Sequence, residues 1–380
     1  MHFCFLGKYL KIMKHDAVVI GAGIIGLATA EYLLKQGLKV TLLERGRVGQ
    51  ESSWAGGGIL SPICPWNYIK EVTQLTQYSA DLFPAWVNTL RTTTGIDPEY
   101  DQCGVFVLPP YDLKRAELWC LKYNVTMTQR AVSIPFSINP HADINNRKTI
   151  EKAIFLPNIA QIRNPRLLNA LHKRVIQLGA KIIENCSVYD MALKHKTVLS
   201  FNSSVGKFSA GYFIIAAGAW STEILGNYAL NLNIKPVSGQ MLLFKFDSPP
   251  LRTVVVQDNL YIIPRRDGHL LIGSTLEDTG FNKQITISAR DHLLKFAQNL
   301  IPQLGALPII RQWSGLRPAS PGNIPTIGQH PQLSNLYINS GHFRYGITMA
   351  PASAEILTKE IVGGTQPFDI TPYQKGWNGN

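Results

Sequence analysis

Asp16-Ala17-Val18-Val19-Ile20 is a nearly unbroken apolar run, the pattern of a strand buried on both faces. Ile24 to Lys35 then changes period. Ile24, Ile25, Leu27, Ala28, Ala30, Leu33 and Leu34 recur at helical spacing, and Gln36-Gly37 ends the helix. Lys39-Val40-Thr41-Leu42-Leu43 is the next strand, closed by Glu44. The three segments make one βαβ unit of about 30 residues.

Further on, helical periodicity covers Val72 to Leu90, Asp112 to Tyr123, Asn164 to Leu178, Ala289 to Leu300 and Thr348 to Val362. Pro351 lies in the first turn of the last, where proline is tolerated. Strand patterns cover Val105 to Leu108, Lys181 to Asn185, Ala210 to Ala216 and Leu336 to Asn339. Lys194 to Phe201 and Gly206 to Phe208 suggest a hairpin. Met241 to Phe244, Thr253 to Val256, Leu260 to Ile263 and Leu270 to Ile272 make the second half richer in strands. The pattern predicts an α/β protein. No internal repeat or low-complexity linker interrupts it, and after Gly363-Gly364 the chain turns polar and is expected to be loose.

The 380 residues suffice for two modest domains or one large, divided one. With 45% hydrophobic and 16% charged residues, the chain has ample material for a core. The net charge of +12 is scattered: Lys11, Lys14 and His15, then Lys194, His195 and Lys196, then Arg265-Arg266. No dense basic tract interleaves with aromatics, so no nucleic-acid groove is indicated. A basic surface on a soluble enzyme fits; weak attraction to an anionic membrane stays open. Cys4, Cys64, Cys103, Cys120 and Cys186 are odd in number and widely spaced, with no CxxC pair. They read as thiols in a reducing compartment, with neither a disulfide framework nor a metal site. No apolar run is long enough to span a membrane. Residues 1 to 14 read either as an extension or as a segment preceding a true start at Met13.

The turn joining the first strand and helix is Gly21-Ala22-Gly23-Ile24-Ile25-Gly26. In such a GxGxxG turn the first glycine allows the tight bend. The second lets backbone approach a pyrophosphate, and the third packs helix on sheet. The helix N-terminus then faces the phosphates. Glu44 stands where a carboxylate accepts from a ribose 2′-OH, which disfavours a phosphorylated ribose. Arg45-Gly46 and Ser52-Ser53-Trp54-Ala55-Gly56-Gly57-Gly58 supply the hydroxyls and amides needed along an FAD. Ala216-Ala217-Gly218-Ala219-Trp220 resembles a second flavoprotein signature. Two late segments complete the picture: Trp313-Ser314-Gly315-Leu316-Arg317-Pro318, with Pro325 and Gly328 beyond, and Gly341-His342-Phe343-Arg344-Tyr345-Gly346-Ile347. The amides of the second could hold the flavin edge where charge develops on reduction.

On these residues the chain resembles the FAD-dependent D-amino acid oxidase family, and most of all its glycine oxidases of thiamin biosynthesis. The resemblance is carried by Val18 to Glu44, Ser52 to Pro62, Phe213 to Trp220, Tyr261 to Thr275, Trp313 to Gly328 and Gly341 to Ile347. Order and spacing agree over roughly residues 14 to 365. The resemblance implies a Rossmann-type FAD-binding domain from 14–90, 150–230 and 308–367. A second α+β substrate domain, with a large mixed or antiparallel sheet, would come from 91–149 and 231–307, leaving 1–13 and 368–380 as tails.

It further implies that Arg317 pairs with a substrate carboxylate, that Tyr261 donates to the same carboxylate, and that Arg344 lies close to substrate and flavin. Leu276 occupies a position often filled by methionine on the alkyl side of the pocket. To the cofactor residues already named it adds Val188, His342 and Thr348. Related sarcosine oxidases attach flavin through a cysteine before the final motif; its absence here implies non-covalent FAD. The implied activity is oxidative deamination of glycine, with sarcosine and small D-amino acids as related substrates and oxygen as acceptor. The alternative is a dehydrogenase of the same family that passes electrons to a membrane quinone. A cytoplasmic homo-oligomer is expected, or an enzyme peripheral to the inner membrane. An RNA-base modifier or a non-catalytic cofactor subunit fits less well: the first predicts a clustered basic face and a separate binding or methyltransferase module, neither of them evident, and the presence of both Arg317 and Tyr261 argues against the second.

Overall fold

The computed structural model describes residues 14–134 and 148–378. In chain order its strands are β1 (Lys14–Ile20), β2 (Val40–Leu43), β3 (Val105–Leu108), β4 (Thr128–Ile134), β5 (Lys148–Leu156), β6 (Lys181–Ile183), β7 (Val188–Lys194) and β8 (Thr197–Ser203). They continue as β9 (Gly206–Ile215), β10 (Lys235–Lys245), β11 (Val254–Gln257), β12 (Leu260–Pro264), β13 (His269–Gly273), β14 (Arg311–Ala319), β15 (Thr326–Gln329) and β16 (Leu336–Ser340). The α-helices are α1 (Ile24–Lys35), α2 (Ser52–Ala55), α3 (Lys70–Thr94), α4 (Leu113–Lys122), α5 (Asn164–Gln177), α6 (Ser221–Leu225), α7 (Ile287–Leu300), α8 (Gly346–Val362) and α9 (Thr371–Gln374).

The first sheet has the order β15-β16-β9-β1-β2-β6, with the β7–β8 hairpin attached to β9. β1 runs parallel to both β2 and β9, so it is a central strand. Its side chains alternate between two cores. Ala17 and Val19 face α1, α5 and α8, while Val18 and Ile20 face Phe201 and Phe213. That two-sided burial is why the sequence reads as a continuous apolar run rather than an alternating one. β9 changes partner along its length, pairing with β8 through Phe208 and with β1 from Ser209 onward. The expected hairpin and the expected strand at Ala210 are therefore continuous. β7 escaped the sequence reading because none of its residues is buried.

The second sheet has the order β14-β10-β13-β12-β11-β3-β5-β4. It is antiparallel except where β11 runs parallel to β3. Leu242, Phe244, Ile262 and Ile272 pack against Leu293, Phe296 and Leu300 of α7. Met241, Tyr261 and Ile263 face the other way, toward Ile63 and Trp66. Two segments move relative to the expected division. Residues 150–156 in β5 and 311–319 in β14 belong to this second sheet, not to the cofactor-side segments. Gly315 and Pro318 interrupt the apolar alternation of β14, which hid it as a strand.

The polar C-terminal segment is docked, contrary to expectation. Tyr373 is fully buried and its hydroxyl donates to the Glu71 carbonyl at 2.7 Å. Trp377 packs edge-on to His330 with centroids 4.6 Å apart. A few aromatics in a polar stretch thus suffice to anchor it. Cys64, Cys103, Cys120 and Cys186 are free thiols; Cys4 and the start of the chain lie outside the described residues.

Candidate active site

The phosphate turn is held by contacts that only glycine allows. Gly21 has φ +104°, and a Cβ there would stand 2.5 Å from the Ala216 carbonyl oxygen. A Cβ on Gly26 would fall 1.9 Å from the Gly21 oxygen. Gly26 therefore packs the helix and does not line the cavity. Ala22 does not line it either, because its N–H donates to Glu44 Oε2 at 2.8 Å. Both were expected to contact the cofactor; here they shape the turn from behind. Glu44 Oε1 accepts from the Gly46 N–H at 2.9 Å, so the carboxylate is clamped at both oxygens with lone pairs left for a ligand. The α1 N-terminus has no side-chain cap of its own. Instead the Ile24 N–H donates to Ser53 Oγ at 3.0 Å, which ties α2 to the turn.

A cavity of about 500 Å³ runs from this turn to the second sheet. At one end it is lined by Gly21, Gly23, Ile24, Ile25, Glu44, Arg45 and Val188. Arg45 stacks over the Trp220 ring at 4.1 Å, beside Ala217 and Gly218. Ser52, Ser53, Ala55, Gly56 and Gly57 form one long wall. His342, Phe343, Arg344, Tyr345, Gly346, Ile347 and Thr348 form the facing one at the start of α8.

Two asparagines that sequence reasoning missed also line the cavity. Asn164 is fully buried, and its Nδ2 donates to the Ser53 and Gly56 carbonyls at 3.0 and 2.9 Å. Asn339 Nδ2 donates to Thr29 Oγ1 at 3.1 Å. The Oδ1 atoms of both are buried without a partner in the chain. Asn164 had read as a helix start. Asn339, a lone amide in a fully buried strand, carried the one visible signal. A glycine cradle, a helix N-terminus without a cap of its own, a clamped carboxylate and orphan acceptors in one elongated cavity fit FAD.

The second sheet supplies the far end. Arg317 on β14 donates through Nη1 to the Ser238 and Thr275 carbonyls at 3.1 and 3.2 Å, and through Nη2 to Ser274 Oγ at 2.6 Å. Burial pushes its pKa down, as does the neighbouring Arg344, while Tyr261 beside it opposes the shift. Arg344 donates to Asn259 Oδ1 at 3.1 Å and to the Asn259 carbonyl at 3.2 Å. Among the described residues neither guanidinium forms an ion pair with a carboxylate. Tyr261 is 7% exposed, with its hydroxyl 3.9 Å from Met241 Sδ. Arg317, Tyr261 and Arg344 are thus brought together at this end of the cavity.

Leu276 is not among them. It is 53% exposed and lies outside the cavity lining. After β13 ends, the Ser274 hydroxyl serves Arg317 and the Thr275 hydroxyl accepts from the Gln240 N–H, leaving Leu276 turned outward. Met241, on β10, lines the cavity. His342 is buried, with Nε2 2.9 Å from Ser353 Oγ, and burial lowers its pKa to about 3. Burial thus favours the neutral imidazole, held in place by Ser353. Tyr345 pairs with the Tyr68 hydroxyl, and burial raises its pKa well above the ordinary phenol value.

The FAD dependent oxidoreductase family model matches residues 16–360. A glycine oxidase of Pseudomonas aeruginosa is 39% identical over 95% of this chain and 98% of its own length. The bifunctional protein ThiO/ThiG of Trichormus variabilis is 31% identical over 92% of this chain, which spans 53% of that longer protein. The crystal structure of glycine oxidase from Geobacillus kaustophilus superposes with a TM-score of 0.86 at 26% identity, covering 95% of this chain and 98% of that one. With the sheets, the glycine cradle and the cavity agreeing, the chain belongs to the FAD dependent oxidoreductase family of enzymes.

Proposed function

We propose that this enzyme oxidatively deaminates glycine, with FAD bound non-covalently along the cavity. One observation carries the substrate class. Arg317 and Arg344 meet at the cavity end with only neutral oxygens as partners. An anion entering there gains charge-assisted bonds worth about 1.5–3 kcal/mol each. Met241 and the Tyr261 ring stand close by and favour a small substrate.

Arg317 grips the substrate carboxylate through its planar fork, and Tyr261 donates a further bond to it. Arg344 adds positive charge at the same end. The grip fixes the α-carbon and amine in one orientation. Bound FAD supplies the acceptor for the hydride leaving the α-carbon. The substrate amine enters neutral, so its lone pair forms the C=N bond as that hydride departs. No side chain is needed to take a carbon-bound proton, consistent with a neutral, bonded His342. Water adds to the imine and releases glyoxylate and ammonia. With oxygen as terminal acceptor the balance is glycine, oxygen and water to glyoxylate, ammonia and hydrogen peroxide. The likeness to the glycine oxidases and to ThiO/ThiG supports a role in supplying thiazole formation for thiamin.

Non-covalent attachment is supported by the late motifs, which contain no cysteine, and by Cys64 near Arg344, whose burial raises its pKa to about 11. The net charge of +12 favours one second reading, a D-amino acid or sarcosine dehydrogenase that meets a quinone at an anionic membrane. Among the described residues no helix is long and apolar enough to cross a membrane. A cytoplasmic homo-oligomer remains part of the proposal.

Anaerobic mixing with glycine, sarcosine and D-alanine tests the substrate. Glycine should bleach the flavin fastest. Reoxidation should be faster with oxygen than with a quinone analogue. Arg317→Ala should abolish glycine bleaching while FAD content is unchanged; undiminished bleaching would sink the assignment.

A further inference from the structure

Arg265 lies one residue beyond β12 and is 5% exposed, yet no carboxylate is within ion-pair distance of it among the described residues. Its Nη2 donates to the Gly57 carbonyl at 2.6 Å. Its Nη1 donates to Gln161 Oε1 at 2.9 Å and to the Ile162 carbonyl at 3.0 Å. Burying a cation among neutral acceptors is costly, and that cost lowers its pKa to about 10.

The acceptors are not scattered. Ile59 and Gln161 form an isolated antiparallel bridge, with Leu60 N–H donating to the Ala160 carbonyl and Ile162 N–H to the Gly58 carbonyl, both within 2.9 Å. Arg265 reaches across to both sides of that bridge. It shares a strand face with Tyr261 and Ile263, and Gly57 rests on that same face. A Cβ on Gly57 would stand 2.6 Å from Ile263 Cδ1 and 3.1 Å from Tyr261 Cε2. The Gly57–Gly58 peptide is trans, so its N–H points away from Arg265. Gly58 lines the cavity, and its N–H has no acceptor among the described residues.

We infer that Arg265 is a positioning residue for the cofactor wall: by holding the Gly57 carbonyl it sets the height of the Gly56–Gly58 turn above Tyr261 and leaves the Gly58 N–H free for FAD. One residue thereby couples the wall that faces the cofactor to the strand that carries a substrate ligand. The inference rests on the reading of this cavity as the FAD site. It does not depend on glycine being the substrate.

The test is FAD release from the purified holoenzyme on dilution, followed by flavin fluorescence, with the visible flavin band recorded beforehand. Arg265→Ala should release FAD at least about tenfold faster, the loss expected for a charge-assisted bond to a buried carbonyl. Added guanidinium should slow that release and return the flavin band toward that of the parent protein. Arg265→Lys keeps the charge but lacks the planar fork, so it should fold and show a smaller acceleration with a shifted band. If Arg265→Ala does not fold, Arg265→Lys decides. Unchanged release and an unchanged band in either folded variant overturn the inference, and so does failure of guanidinium to act on a folded alanine variant. A parent protein that holds FAD but is not bleached by glycine instead counts against the proposed substrate.

Discussion

Gly239 leaves the space in which the Arg317 guanidinium sits: a Cβ built there would stand 2.1 Å from both terminal nitrogens. The two residues lie on neighbouring paired strands, Gly239 opposite Gly315 and Arg317 opposite Val237. The clash falls on the end of a flexible side chain, so Gly239→Ala should displace Arg317 and leave the sheet folded. The expected result is a glycine KM raised about tenfold or more, the scale of one charge-assisted bond, with FAD content retained. Steady-state kinetics beside flavin absorbance checks it.

Asn164 suspends the Ser53 and Gly56 carbonyls from one amide. Asn164→Asp keeps the shape and replaces the donor by an oxygen that repels both. The cost should be about 1–3 kcal/mol for each carbonyl left without a donor. Flavin content after purification and the urea midpoint should both fall, the flavin content further because the wall itself moves.

His342 makes stability depend on acid. Its pKa falls from 6.5 in the unfolded chain to about 3 in the folded one. Below pH 6.5 the unfolded state therefore takes up a proton that the folded state refuses until about pH 3. Stability should drop by about 1.4 kcal/mol for each pH unit across that window. His342→Asn removes the titration and should flatten this part of the curve. Urea midpoints at pH 7 and pH 5, compared for the two proteins, test it.

The docked tail is a further target. Trp377 is 3% exposed, and Trp377→Ala should cost about 3–5 kcal/mol. Thermal melting followed by circular dichroism measures the loss. A change below about 0.5 kcal/mol, the range of an ordinary surface position, would mean that the segment is free in solution.

The βαβ unit was legible because its signals are contiguous: strand, glycine turn, helix and acidic residue fall in order within one stretch. Arg317 and Tyr261 were legible only through family resemblance, since their meeting depends on how β10, β12, β13 and β14 order themselves in space. Leu276 shows the limit of carrying over a position. Strand alternation sends Met241 toward Tyr261 and Leu242 toward α7, whereas the hydroxyl anchors at Ser274 and Thr275 turn Leu276 out. Asn164 was hidden for another reason. A helix-start asparagine ordinarily serves its own helix, and this one reaches across to α2. The tail failed on composition, because an average over a polar stretch conceals Tyr373 and Trp377.

The bare pairing of Arg317 with Arg344 has a consequence for what the enzyme refuses. A simple amine offers no negative charge to either guanidinium, and in its protonated form it adds a third positive charge to a partly desolvated corner. An amino acid brings its own counter-ion. If the proposed carboxylate site holds, the cavity end would sort amino acids from amines by repulsion as well as by fit.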